Sequence, residues 1–341
     1  MMPAAPAFFS DGYMKCGIIG AGLSALTCAG ELRIAGHDVV LFDKGCGPGG
    51  RMSTRHMQTR FGEVGIDHGA PYFDAVGPDF RAAVAAWRRD GLVAPWTAGG
   101  PHAWLGIPDM ASLIARLAAP HDVTWRSFVN GIMRGARGEW YISIDRGIHG
   151  PFDAVVTAVP PEQAVPFLAL YDLEMARTAS AALSRACWAG LFVFEHALPA
   201  ASLVLRDAGP IALAVCNRAK PLRTKPESWL VHAHSEWSES RLERESGEIA
   251  PLLLSALQDA LGLPVVPAHE ATAHRWRYSS SAGIGRAALW NADIKLGVCG
   301  DWLTGPHAEC AWTSGRALGR LVNSTFDAVS PLSERSGLCV L

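Results

Sequence analysis

An α/β fold built on a Rossmann-like dinucleotide-binding unit is predicted from three features near the amino terminus. The first is Gly20-Ala21-Gly22-Leu23-Ser24-Ala25, placed where a short apolar run gives way to a helical pattern. The second is Asp43, 23 positions after Gly20 at the end of the next apolar run. The third is Gly49-Gly50-Arg51, a second glycine turn shortly afterwards.

Each element follows from local chemistry. Lys15 to Ile19 reads as a buried parallel strand, and the helix that opens after Gly22 leaves its first N–H groups without internal partners. Gly20 permits the tight turn, Gly22 lets backbone approach a pyrophosphate, and Ala25 keeps helix and strand close. Leu26, Ala29, Leu32 and Ile34 continue the helix to a stop at Gly36. Asp38 to Asp43 is the second strand, and its terminal carboxylate suits ribose hydroxyls and repels a 2′-phosphate, so the nucleotide is FAD-like or NAD-like. Lys44 to Thr54 is a glycine-rich loop able to wrap a phosphate, with Arg51 as a fixed donor.

Further on, a helical pattern spans about Asp79 to Trp96, and Asp109 or Ser112 caps the next helix. Strands are expected at Val123–Trp125, Trp140–Ile144, Ala154–Val159 and Ile294–Cys299, with Gly300-Asp301 as the turn after the last. Ala311 to Val322 reads as a helix whose small residues Ala311, Ser314 and Gly315 allow close approach. In His274-Arg275-Trp276-Arg277-Tyr278, alternation puts the arginines on one face and Trp276 and Tyr278 on the other.

Composition narrows the function classes. The 341 residues are 49% hydrophobic and 18% charged with net charge −2, which offers no electrostatic case for nucleic acid or an anionic membrane. No apolar run approaches the roughly 20 residues of a membrane span. The eight cysteines form no C-x-x-C pair and no His/Cys cluster at zinc spacing, so no metal is expected, and a reducing cytoplasm fits. His102 and His121 read as loop histidines, and His232 with His234 lacks a third ligand. Residues 1–13 read as a disordered extension or an expression artefact, with Met14 an alternative start to Met1.

In this order, the fingerprint, Asp43, Gly49-Gly50-Arg51-Met52, Asp67-His68-Gly69-Ala70 and Gly300-Asp301-Trp302 resemble the flavin amine oxidase superfamily, and within it bacterial renalase-like oxidoreductases. The resemblance implies a discontinuous Rossmann-like FAD-binding domain (14–75, 103–160 and 285–330). It also implies a second domain of antiparallel sheet plus helices (76–102 and 161–284). Noncovalent FAD would be held by Gly20, Ala21, Gly22, Leu23, Ser24, Asp43, Lys44, Gly50, Arg51, Met52, Ser53, His68, Gly69, Ala70, Val129, Gly300, Asp301, Cys310 and Ala311. His68, Tyr72, Trp104, Trp276, Arg277, Tyr278 and His307 are the substrate-pocket candidates. Pro71, where relatives often carry Gln, and the Pro306–Ala311 segment depart from the family pattern where substrate meets flavin.

The implied reaction is oxidation of isomeric dihydronicotinamide dinucleotides to NAD(P)+, with O2 reoxidising the flavin to give H2O2. The absence of a second glycine fingerprint agrees with a nicotinamide that is a transient substrate. A flavin amine oxidase or desaturase acting on a small metabolite, a flavin protein without turnover, and an NAD-linked dehydrogenase are the alternatives.

Overall fold

The apolar runs near both ends of the chain condense into one six-stranded sheet. In the computed structural model, which describes residues 13–223 and 226–327, the strands lie in the order Leu289–Asn291, Leu296–Val298, Ala154–Thr157, Lys15–Ile19, Asp38–Phe42 and Asp122–Thr124. Neighbours are parallel except the first pair. Ala154–Thr157 lies inside the sheet, between the first strand of the chain and Leu296–Val298. Alternation divides the strands between two cores. Cys16, Ile18, Val39, Leu41 and Val156 face helices Leu23–Ile34, Met110–Ala118 and Ala308–Asp327. Ile19, Phe42, Val155 and Val298 face an antiparallel layer of Val129–Arg134, Trp140–Ile144 and Gly147–Phe152.

Small residues set the distance between the first and last helices. A Cβ on Gly315 would fall 2.1 Å from the Ser24 carbonyl oxygen, and one on Gly319 2.6 Å from Glu31 Cβ. Gly315→Val is therefore expected to lower stability by about 3 kcal/mol through overpacking. Gly30→Ala, where a Cβ would meet nothing within 4 Å, is expected to gain up to about 1 kcal/mol from helix propensity. Urea midpoints of the two variants check the contrast.

The second sheet is antiparallel throughout, in the order Val204–Ala208, Ile211–Cys216, Glu227–Ala233, Ser184–Phe194 and Glu270–Ser281. Helix Ser246–Leu261 covers one face, where Leu253 and Leu257 join the core that holds Phe192 and Trp229. The other face receives the hairpin Thr54–Thr59/Gly62–Asp67, whose Val64 and Ile66 pack with Leu191 and Leu230. Through this hairpin the second glycine turn and His68 come under the second sheet.

Two helical regions pack across the expected division of the chain. Helix Pro78–Arg89, expected with the second domain, places Phe80 and Val84 in the helix-layer core of the parallel sheet. Helices Pro161–Leu168 and Leu173–Ala181, also expected there, pack Ala164, Leu168 and Met175 under that sheet's other face. An apolar stripe buries itself against the apolar face within reach, whichever domain the flanking chain serves. Of the expected extension 1–13, all but Tyr13 lies outside the described residues. No described helix is long and apolar enough to cross a membrane.

Candidate functional site

Two glycine turns face each other at the start of the first helix. Gly20 has φ +103°, and a Cβ there would fall 2.8 Å from the Ala158 carbonyl oxygen, so conformation and space both require glycine. Gly22 caps helix Leu23–Ile34 with no side-chain cap and no acid in the first turn. A Cβ on Gly22 would meet nothing within 4 Å, and one on Gly50 would meet only Gly22 Cα at 3.9 Å. The open space lies against unspent N–H groups at the positive end of a helix, which fits a pyrophosphate.

Asp43 ties the turns together. Its Oδ2 accepts from the Ala21 N–H at 2.7 Å and its Oδ1 from the Gly45 N–H at 2.6 Å, beside the exposed Lys44. Each oxygen keeps a lone pair that a ribose hydroxyl can use. The Asp43 carbonyl also accepts from the Ser127 N–H at 2.8 Å, which fixes the chain leading to buried Val129.

Opposite them, residues 250 positions apart form one ion pair. Arg51 donates to Asp301 through Nη1 at 2.7 Å and Nη2 at 2.5 Å, and through Nη1 to the Ser279 carbonyl at 3.2 Å. Asp301 is buried and opens the short helix Asp301–Thr304. Its predecessor Gly300 donates its N–H to Ser314 Oγ at 3.0 Å, and Thr304 Oγ1 donates to the Cys310 carbonyl at 3.1 Å. Ala311 donates its N–H to the His307 carbonyl at 3.1 Å. The start of the last helix is pinned by Glu309, which accepts from the Val76 and Gly77 N–H groups, each at 2.8 Å.

The Arg51 carbonyl accepts from the Ala70 N–H at 2.7 Å. A Cβ on Gly69 would fall 2.0 Å from that same oxygen, so only glycine lets the two segments approach this closely. Met52 is buried, and Ser53 Oγ lies 3.4 Å from His68 Nε2. These contacts link Arg51 to Asp301 and Ala70, and Asp43 to Ala21 and Gly45.

Asp67 and His68 do different work. Asp67 is fully buried and accepts four hydrogen bonds, from Thr54 Oγ1 (2.6 Å), the Met110 N–H (3.1 Å), Lys220 Nζ (2.8 Å) and Arg223 Nη2 (2.8 Å). Burial pushes its carboxyl up, but the Lys220 and Arg223 charges and these bonds outweigh that and hold it at about 2. Burial also pushes the Lys220 ammonium down, against the pull of Asp67.

His68 stacks on Trp276, with ring centroids 5.1 Å apart at 28°, and meets His274 edge-on at 4.8 Å. Its carbonyl accepts from Trp276 Nε1 at 2.9 Å and from His232 Nε2 at 3.1 Å, while its own Nδ1 is buried without a partner. Burial, with the nearby His274 and Arg55, pushes His68 down to about 3. Burial alike pushes His232 down to about 4, and burial followed by Arg55 lowers His274. All three imidazoles are therefore neutral near pH 7.

A histidine held below its ordinary value of about 6.5 binds its proton in the unfolded chain first. Its contribution to stability is full above that value and is lost as pH falls toward the folded values of about 3 for His68 and about 4 for His232. Denaturant midpoints should therefore drop steadily from pH 7 to pH 4, and His232→Gln should flatten the profile.

The other pocket candidates lie elsewhere or make different contacts. Arg277 does not join this cluster: it lies on the opposite face of its strand and is bound by Glu243 at 2.7 and 2.6 Å. Tyr278 is half-buried, next to the carbonyl that Arg51 bonds. Tyr72 packs on Trp96 at 5.1 Å, and its hydroxyl accepts from Arg206 at 2.9 Å. Trp104 lies under the Arg88 guanidinium at 5.9 Å, and the His307 side chain is exposed. His232 and His234 part company, the latter standing 3.7 Å from Asp207.

Sequence reasoning missed four residues of the cluster. His274 carried a signal, since alternation places it on the Trp276 face. His232, Lys220 and Arg223 carried none, because their roles depend on a sheet and a loop meeting Asp67-His68 from far along the chain. Among the described residues, no group of three or more His, Cys, Asp or Glu is placed to hold a metal ion.

Residues 18–88 match the family model of an NAD(P)-binding Rossmann-like domain. Among solved structures, wild-type putrescine oxidase bound to putrescine is similar with TM-score 0.60 and 13% identity, covering 93% of this chain and 99% of that one. A single mutant from the redesign of cofactor binding in the same enzyme reaches TM-score 0.66 at the same identity and coverage. The chain thus contains an NAD(P)-binding Rossmann-like region within a fold that it shares with putrescine oxidase.

Proposed function

We propose that this protein is an FAD-dependent oxidoreductase that oxidises 2- or 6-dihydro-NAD(P) to NAD(P)+, with O2 as acceptor. The observation that carries the reading is the opening between Gly22 and Gly50, bordered by free helix N–H groups and continued by Arg51 and Asp301. Ala21 to Ser24 would hold the pyrophosphate, Asp43 a ribose, and Gly50 to Ser53, His68 to Ala70, Gly300, Asp301, Cys310 and Ala311 the flavin half. Bound noncovalently there, FAD supplies a two-electron acceptor that O2 can return to its oxidised state with formation of H2O2.

The protein's part is orientation and exclusion of water. The Trp276 and His68 rings stack into an apolar wall that can confine a flat ring, and the three neutral imidazoles add no charge to it. No acid or base side chain is required, since hydride transfer moves no separate proton.

Charge supports a neutral or anionic donor over a protonated amine. Asp67 is committed to Lys220 and Arg223, and Asp301 to Arg51, while Arg55 stands near His68 and His274. The likeness to putrescine oxidase supports the other reading, an amine oxidase acting on a small metabolite. Anaerobic mixing of the FAD-loaded protein with 2- or 6-dihydro-NAD(P) is expected to bleach the flavin within seconds. Failure to bleach, together with peroxide formation from an amine, would replace the first reading with the second.

A further inference from the structure

Trp104, singled out in the sequence, lines a groove of its own. The groove measures about 610 Å3, within the range of about 300–1,000 Å3 common for small-molecule sites. Its walls are helix Pro78–Arg89 on one side and, on the other, His102 with the start of strand Ala103–Gly106, and buried Ala75 and Val84 also line it. Arg81 and Arg88 stand two turns apart on the same helix face, and Arg89 follows. All three are exposed and line the space together with His102, and no carboxylate lines it.

Two of the neighbouring acids, Asp79 and Asp74, are directed elsewhere. Asp79 is bound by Arg316 at 2.6 Å. Asp74 pairs with Ala103 while Phe73 pairs with Trp104, so the Asp74 side chain lies on the opposite face of the strand pair from Trp104. None of Arg81, Arg88 and Arg89 has a salt-bridge partner among the described residues, and Arg88 lies over the Trp104 ring instead. Three guanidinium groups without carboxylate partners, converging on a concavity with an indole in its wall, complement a phosphate attached to an aromatic ring. The phosphate takes the forked donors and the ring stacks beside Arg88 and Trp104.

We propose that this groove is a nucleotide-binding site, separate from the dinucleotide site at Gly22, which holds a nucleoside monophosphate unit through Arg81, Arg88 and Trp104. A free nucleotide and one half of a larger dinucleotide share this chemistry.

The test is calorimetric titration of AMP into protein loaded with FAD at the first site and then freed of unbound FAD, which would otherwise compete through its own AMP half. Saturable binding is expected, weakened at least tenfold in Arg81→Gln/Arg88→Gln and severalfold in Trp104→Leu, and unchanged in Arg146→Gln, an exposed arginine elsewhere. Adenosine should bind at least tenfold more weakly than AMP, and added salt should weaken AMP. Competition by NAD+ would identify the dinucleotide half as the source, and its failure a free nucleotide. No AMP binding, AMP binding indifferent to the double substitution, or binding of single-stranded oligonucleotide without AMP would each overturn the proposal. If the protein takes up no FAD, the same comparison of variants without it still reads the groove, because the substituted residues lie outside the Gly22 turn.

Discussion

Replacing Asp67 with alanine is expected to destabilise the fold by about 3–5 kcal/mol, the cost of leaving buried cations without their counterion. Lys220 and Arg223 are almost inaccessible, with side chains 1% and 10% exposed, and Asp67 is their ion-pair partner. The loss also strands the Thr54 hydroxyl and the Met110 N–H. Urea unfolding measures the effect, and Asp67→Ala/Lys220→Met should recover part of it, because removing a charge along with its partner relieves the desolvation penalty. The pair also sets an acid limit. Asp67 sits at about 2 when folded, below its ordinary 3.8, so its contribution is full above the ordinary value and is lost as pH falls through the folded one. Between about pH 4 and 2 the wild type should lose stability more steeply than Asp67→Ala, in which only the histidine contribution remains.

Gly22→Val is expected to separate cofactor binding from folding. Gly22 has φ −79° and ψ −179°, an extended conformation open to any residue, and a Cβ there touches no protein atom within 4 Å. The fold should hold within about 1 kcal/mol, as a surface substitution does. The branched side chain would, however, fill the space that a pyrophosphate needs. FAD affinity is expected to fall at least about 100-fold, equivalent to about 2.7 kcal/mol. Gly20→Val should instead damage folding itself, because its positive φ and the Ala158 carbonyl leave no room. Equilibrium dialysis with FAD, run beside urea melts, distinguishes the two glycines.

The parts of this molecule legible in its sequence are those whose cause is local. Gly20, Gly22 and Asp43 lie within one strand-helix-strand unit, so their spacing alone carries the geometry. Asp109 as a cap is equally local, and it accepts the Ser112 N–H at 2.8 Å. Arg51 and Asp301 were each legible through family resemblance, but their mutual ion pair spans 250 positions and leaves no trace in either segment. Alternation told which residues of the 274–278 stretch share a face. It does not tell which face meets His68: Trp276 does, while Glu243 holds Arg277 on the other side. The packing partners of helices Pro78–Arg89, Pro161–Leu168 and Leu173–Ala181 are illegible for a related reason: an amphipathic stripe announces that it will be buried, not against what.

The most direct test of this account is the visible spectrum of the wild-type protein after incubation with excess FAD and removal of free ligand. A retained flavin band at about 450 nm, with about one FAD per chain, is expected, lost in Gly22→Val although that variant remains folded. A folded wild-type protein that emerges colourless would contradict it.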